Sequence, residues 1–204
     1  MDRLTKSAIR VPGLEVRVAE RCTSTNAVLL QARSDRPMLL AAEAQSAGRG
    51  RRGRRWRSAP GAGATFSILR RMRCTPAALV GLPVAVGLAT ARALRALGAR
   101  GVSLKWPNDL MARRRKLGGI LIETRSTAGG TTLVVGIGIN CYRQPQLRAR
   151  LGRGVAALEE LRQRPVARND VIGAVGRAVL EALADWDRAH AGDAKDPRLA
   201  ARAA

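Results

Sequence analysis

The sequence predicts an α+β protein in which helices cover a mixed β-sheet. Apolar runs of strand length interleave with helix-length stretches, without the strict strand–helix–strand rhythm of a doubly wound fold. Two of those runs, 117–124 and 131–140, are separated only by the turn Ser126 to Gly130, and so short a connection makes them antiparallel. With 204 residues and 46% hydrophobic content, the chain can bury a core without disulfides or metals as staples.

Leu14 to Ala19 alternates loosely and reads as a short strand. Thr23-Ser24-Thr25-Asn26, a stack of N-cap residue types, precedes a helical stretch from Ala27 to Arg33. Met38 to Ala44 is an apolar run and a candidate buried strand. From Gln45 to Gly63 arginine and glycine crowd together and no period survives, so that segment is a long loop. Thr65 to Leu69 is the next strand. Thr75 with Pro76 opens a helix running to about Leu97, stopped by Gly98 and kinked at Pro83. Val102 to Trp106 is a strand ended by Pro107-Asn108-Asp109. After the hairpin, helices are expected over Gly154 to Gln163 and Asn169 to His190. Residues 1–190 form one domain, and residues 191–204 are a polar, alanine-rich tail.

The net charge is +22, almost all of it arginine, because only four lysines occur: Lys6, Lys105, Lys116 and Lys195. Such a field attracts nucleic acid, phosphates or an acidic protein. Codon bias in a GC-rich genome accounts for scattered arginines equally well, so only the clustered ones carry an argument. Five aromatic residues are too few for stacking single-stranded bases. Cys22, Cys74 and Cys141 are odd in number and far apart, which fits neither a zinc site nor a disulfide framework and suits a reducing cytoplasm. No signal peptide is expected from MDRLTKSAIR, and the uncharged run 74–91 reads as a buried helix rather than a membrane span.

His190 is the only histidine and stands near the tail, so Ser-His-Asp or Cys-His catalysis has no local support. No metal-ligand spacing is present, and no metal-binding residues are assigned. Any catalysis here must therefore be electrostatic rather than acid–base. The segment Gly48-Arg49-Gly50-Arg51-Arg52-Gly53 matches a dinucleotide fingerprint literally, but Arg57-Ser58-Ala59-Pro60-Gly61 follows where a helix should open. Its composition suits a different task. Glycines let backbone amides turn inward, and guanidinium groups grip phosphate or carboxylate in bidentate fashion. Lys105-Trp106-Pro107-Asn108-Asp109 and Lys116-Leu117-Gly118-Gly119 each put a lysine beside a strand end. In Gly136-Ile137-Gly138-Ile139-Asn140, alternate glycines leave one strand face open for a flat ligand or for close sheet packing.

Taken in order, these segments resemble the catalytic domain of biotin–protein ligases, also called biotin–[acetyl-CoA-carboxylase] ligases. The matching pieces are Ser24-Thr25-Asn26, the stretch Gln45 to Trp56, Lys105 to Leu110, Lys116 to Glu123, and Gly136 to Asn140. The resemblance implies the class II synthetase-like fold of that family. It also implies a cytoplasmic enzyme that uses ATP and magnesium to convert biotin to biotinyl-5′-adenylate. The acyl group then passes to a lysine of a biotin carboxyl carrier domain. By the same resemblance Ser24, Thr25, Asn26, Gln45, Gly48, Lys116 and Gly119 bind biotin. Arg49, Arg51, Arg52, Trp56, Lys105 and Asn140 contact the nucleotide. Lys116 bridges carboxylate and phosphate, and Arg51 retains the intermediate. Asp109 orients either the magnesium-bound phosphates or the incoming amine. Departures from the family pattern lie at both ends: nothing before residue 15 matches a helix-turn-helix, and residues 191–204 do not match the small C-terminal barrel. Neither DNA nor a membrane is an expected partner, and a homodimer is left open. The competing readings are a lipoate or octanoyl transferase of the same fold and a basic nucleic-acid-binding module. The arginine loop paired with the KWPND segment argues against the first, and a steep fall of affinity with salt would mark the second.

Overall fold

A computed structural model describes residues 2–127, 130–151 and 154–190. Seven strands form a single sheet: β1 (Glu15–Cys22), β2 (Met38–Gln45), β3 (Gly63–Met72), β4 (Val102–Lys105), β5 (Asp109–Ala112), β6 (Arg115–Thr127) and β7 (Gly130–Asn140). Their order is β1-β2-β3-β7-β6-β5-β4. The β1/β2 pair is parallel and every other pair antiparallel, so the expected mixed sheet is what the chain forms.

Period-two alternation assigns the two faces. On β7 the odd positions Leu133, Val135, Ile137 and Ile139 enter the main core. That core also takes Val171, Ile172, Val175, Val179 and Leu183 of α4 (Arg168–Ala189), spaced along one helical stripe. Helix α2 (Leu82–Ala96) adds Leu82, Val86, Ala91 and Leu94 to the same layer. On the other face Val134 packs with Leu29 of α1 (Thr25–Gln31), and Met38, Leu40 and Leu69 complete that smaller cluster. Beyond Val134 the even positions become Gly136, Gly138 and Asn140. The chain thus stops filling that face just where a pocket opens.

Several expectations need correction. The long helix does not begin at Thr75 and is not kinked at Pro83. A 3-10 turn, Pro76–Leu79, comes first, and α2 starts at Leu82 with Pro83 in its first turn. Proline lacks an N–H and crowds the carbonyl four residues back, so a helix begins at such a position more readily than it continues through it. By length and composition Pro76–Ala96 is apolar enough to cross a membrane, yet Gly81 divides it and α2 packs on α4 and β4. Strand β5 was not expected. Its hairpin to β6 turns on Arg113 and Arg114 at φ 47° and 60°, a backbone usually supplied by Asn-Gly, so the turn gives no compositional signal. The helix expected over 154–163 is a single 3-10 turn, Leu158–Glu160, because Val155 bridges to Lys116 beside the sheet and holds the preceding residues extended. A short helix α3 (Pro145–Leu151) precedes it instead. The tail 191–204 and residues 128–129 of the hairpin turn lie outside the described residues.

Candidate functional site

A cavity of about 420 Å³ opens over the glycine-lined face of β6 and β7, between the N-terminus of α1 and the loop 46–62. Its floor is a buried polar network. Ser24 caps α1, its hydroxyl accepting from Ala27 N at 3.5 Å. Thr25 N donates to Gln45 Oε1 at 2.7 Å, and Thr25 Oγ1 reaches the same oxygen at 3.2 Å. From β3, the Ser67 hydroxyl lies 2.6 Å from Thr25 Oγ1 and 2.5 Å from Asn26 Oδ1. Asn26 Nδ2 donates to Leu121 O and, at 2.8 Å, to Glu123 Oε2. Ser24, Thr25 and Asn26 are each 3% exposed and Ser67 is fully buried. Gly136 makes this possible: a Cβ there would stand 2.1 Å from Asn26 Oδ1.

One wall holds an ion pair. Lys116 Nζ lies 2.5 Å from Asp109 Oδ1 in a partly buried pair, with register partners Asp109 and Gly119 on β5 and β6 holding it over the sheet. A Cβ on Gly119 would stand 3.6 Å from Lys116 Nζ, so the glycine leaves the ammonium room. Asn108 is pinned by two bonds to Ile120, one from each partner's amide nitrogen. Its Oδ1 accepts from Arg51 Nη1 at 3.4 Å.

The loop arches over this wall. Its neck closes through the Arg49–Arg55 bridge and the bond from Trp56 N to Gly48 O at 3.0 Å. Arg52 sits in a 3-10 turn at φ 54°, which carries its exposed side chain to the pocket rim. Arg49 pairs with Glu123 Oε1 at 2.7 Å, and Arg55 donates to Ser46 O. For Arg52 and Arg54 no ion pair forms among the described residues. Trp56 lies across Gly138, where a Cβ would meet its ring at 2.4 Å, and its buried indole N–H has no partner among the described residues.

The structure therefore gathers twelve of the fourteen expected site residues around one cavity: Ser24, Thr25, Asn26 and Gln45 below; Arg49, Arg51, Arg52 and Trp56 above; and Lys105, Asp109, Lys116 and Gly119 at the side. Gly48 and Asn140 are the exceptions. Gly48 is a close-approach glycine at the loop neck, where a Cβ would be 2.5 Å from Trp56 O. Asn140 lies behind Trp56, lining a small neighbouring cleft and donating from Nδ2 to Lys116 O at 3.4 Å. Ser67 and Glu123 brace Asn26 beneath the cavity without lining it, and motif reading did not assign them a role.

The segment that carries most of these residues has counterparts in known sequences. The sequence profile of the Biotin/lipoate A/B protein ligase family matches residues 18–140. The chain belongs to that family. Over 120 residues it is 44% identical to the bifunctional ligase/repressor BirA of Escherichia coli, covering 58% of this chain and 37% of that protein. Over 197 residues it is 32% identical to the biotin–[acetyl-CoA-carboxylase] ligase of Mycobacterium tuberculosis, covering 90% of this chain and 67% of the relative. The chain thus spans well under half of the first of these relatives and about two thirds of the second. Among solved structures, the biotin protein ligase of Aquifex aeolicus in complex with biotin and ATP superposes with a TM-score of 0.72 at 29% identity, over 85% of this chain and 72% of that one. The Leishmania major biotin protein ligase in complex with biotinyl-5-AMP gives 0.70 at 26%, over 87% and 77%. The biotin/lipoate ligase fold expected from the sequence is the fold observed.

Proposed function

We propose that this chain is the catalytic unit of a biotin–protein ligase, forming biotinyl-5′-adenylate from biotin and ATP and passing the acyl group to a lysine of a carrier domain. The observation that carries the reading is the Lys116–Asp109 pair, set between a polar, glycine-floored compartment and a loop with unpaired arginines. Biotin's ring system occupies the compartment built by Thr25, Asn26 and Gln45, and its carboxylate points to Lys116. Attack of that carboxylate on the α-phosphorus forms the mixed anhydride and expels pyrophosphate. Lys116 neutralises the carboxylate and the phosphate oxygen as they close on each other, with Arg51 and Arg52 supplying further charge. In the second half-reaction an incoming lysine amine attacks the acyl carbon, forming an amide and releasing AMP.

Magnesium enters as the ion of the substrate nucleotide. Among the described residues no cluster of three or more His, Cys, Asp or Glu exists, and Asp109 is the one carboxylate lining the cavity. That donor set fits an ion carried on phosphates, with Asp109 as its protein contact, since magnesium keeps substrate phosphates and water as ligands. The names and bound ligands of the relatives support biotin over lipoate as the acyl substrate. The test is acyl competition with an isolated carrier domain: ATP-dependent labelling of the carrier lysine should occur with biotin and not with lipoate. Lipoyl transfer in place of biotin, or no nucleotide-dependent transfer together with tight, salt-sensitive binding of duplex DNA, would reject the proposal.

A further inference from the structure

Glu123 stands on β6 with its side chain 18% exposed, and its two carboxylate oxygens face different neighbours. Oε2 accepts from Asn26 Nδ2 at 2.8 Å and so belongs to the buried network under the pocket. Oε1 pairs at 2.7 Å with Arg49, the first arginine of the loop and one end of the bridge that closes its neck. Within the arginine arch, residues 49–57, the other side-chain anchors are poorer, and the 2.7 Å bond from Ala59 N to Gln144 Oε1 holds the loop only beyond it. Arg51 reaches Asn108 at 3.4 Å, and Arg55 meets the neutral carbonyl of Ser46. Glu123 is thus the charged link between the floor and the arch above it. A guanidinium held by a carboxylate at this distance has spent much of its pull on phosphate, whereas Arg52 retains it.

We propose that Glu123 is a positioning residue that latches the arginine loop to the pocket floor through Arg49, leaving Arg51 and Arg52 to meet the phosphates. Arg49 is then a fastening of the lid rather than a nucleotide ligand. The proposal rests on the ligase reading only for what the lid retains.

Two variants separate the latch from folding. In Glu123→Gln the amide oxygen still accepts from Asn26, while the amide nitrogen presents a donor to the donor Arg49, so the floor survives and the latch does not. Arg49→Gln breaks the same contact from its half-exposed end. Two readouts apply to the full chain: tryptic cleavage after Arg51, Arg52 and Arg54 without substrates, and escape of the biotinyl-adenylate into solution. Each variant should raise both rates about fivefold, as a partly exposed ion pair warrants. The double variant should be no faster than either single one, and the thermal midpoint should hold. Loop cleavage at the wild-type rate in Glu123→Gln, or additive effects in the double variant, would overturn the latch. Should the wild type form no adenylate, the ligase reading fails, and the cleavage comparison still decides the latch.

Discussion

Arg168 at the start of α4 and the arginines of the 49–57 loop carry the same guanidinium in contrary surroundings. Arg168 is 1% exposed and saturated. Its Nη1 lies 2.6 Å from Glu43 Oε2 and its Nε 3.1 Å from Asp2 Oδ1, while its Nη2 donates to Glu43 Oε1 and to Asp2 O. Tyr142 and Asn169 add hydrogen bonds to Asp2. Burial alone would raise the Asp2 and Glu43 carboxyls, but the hydrogen bonds and charge of Arg168 outweigh it and hold both below their ordinary range. Burial likewise works against the charge on Arg168, and the two carboxylates reverse that, leaving its pKa raised. The cluster fastens the N-terminal segment, with Leu4, Ile9 and Val11 buried behind it. In the loop, by contrast, Arg52 and Arg54 are exposed, with no ion pair among the described residues. The contrast separates arginines that hold the fold from those left exposed at the pocket rim, a division the net charge of +22 conceals.

Substitutions should divide along this line. The largest stability loss is expected for Arg168→Met, which removes a buried guanidinium and strands two partly buried carboxylates, and should cost about 3 kcal/mol in denaturant unfolding. A loss under about 1 kcal/mol would mean that water already solvates the cluster. On the pocket side, Gly136→Ala drives a methyl into Asn26 Oδ1 and should cost about 1–3 kcal/mol together with most biotin affinity. Unaltered calorimetric binding would remove Asn26 from the biotin compartment.

Acid titration is a gentler probe. Groups whose folded pKa lies below the unfolded one stabilise the protein above the unfolded value, and that stability is lost as pH falls through the folded value. The Asp2 and Glu43 contribution should therefore be complete above about pH 5 and decline below about pH 4. In an Asp2→Asn, Glu43→Gln variant the slope of stability against pH should flatten in that window. The smallest effect on folding belongs to Arg52→Ala, within about 0.5 kcal/mol of wild type. Its KM for ATP should nonetheless rise about tenfold, and an unchanged KM would return Arg52 to the inert surface.

The residues named by motif converge around one cavity, whereas several elements of the frame around them fall elsewhere than expected. Contiguous motifs such as Lys105 to Asp109 and Lys116 to Gly119 keep their meaning wherever the strands end, because the side chains act close to where they are written. Ser67 stayed hidden because its role depends on α1 lying across the sheet, 41 residues away in sequence from its partner Asn26. Glu123 was visible inside a motif, but its link to Arg49 depends on how the loop folds back. Asn140, expected to contact the nucleotide, is turned by its register to the cleft behind Trp56, a placement its motif does not disclose. The expected helix at 154–163 failed because the Val155 bridge to Lys116 overrides local propensity.

In the proposed reaction one lysine, held by Asp109, joins the acyl and nucleotide halves of the pocket. Single-turnover formation of acyl-adenylate from biotin, ATP and magnesium, compared between wild type and Lys116→Ala, tests it most directly. A biotin-dependent adenylate is expected in the wild type and a rate at least about a hundredfold lower in Lys116→Ala, with folding intact. Equal rates in the two proteins would contradict it, as would the absence of adenylate from the wild type.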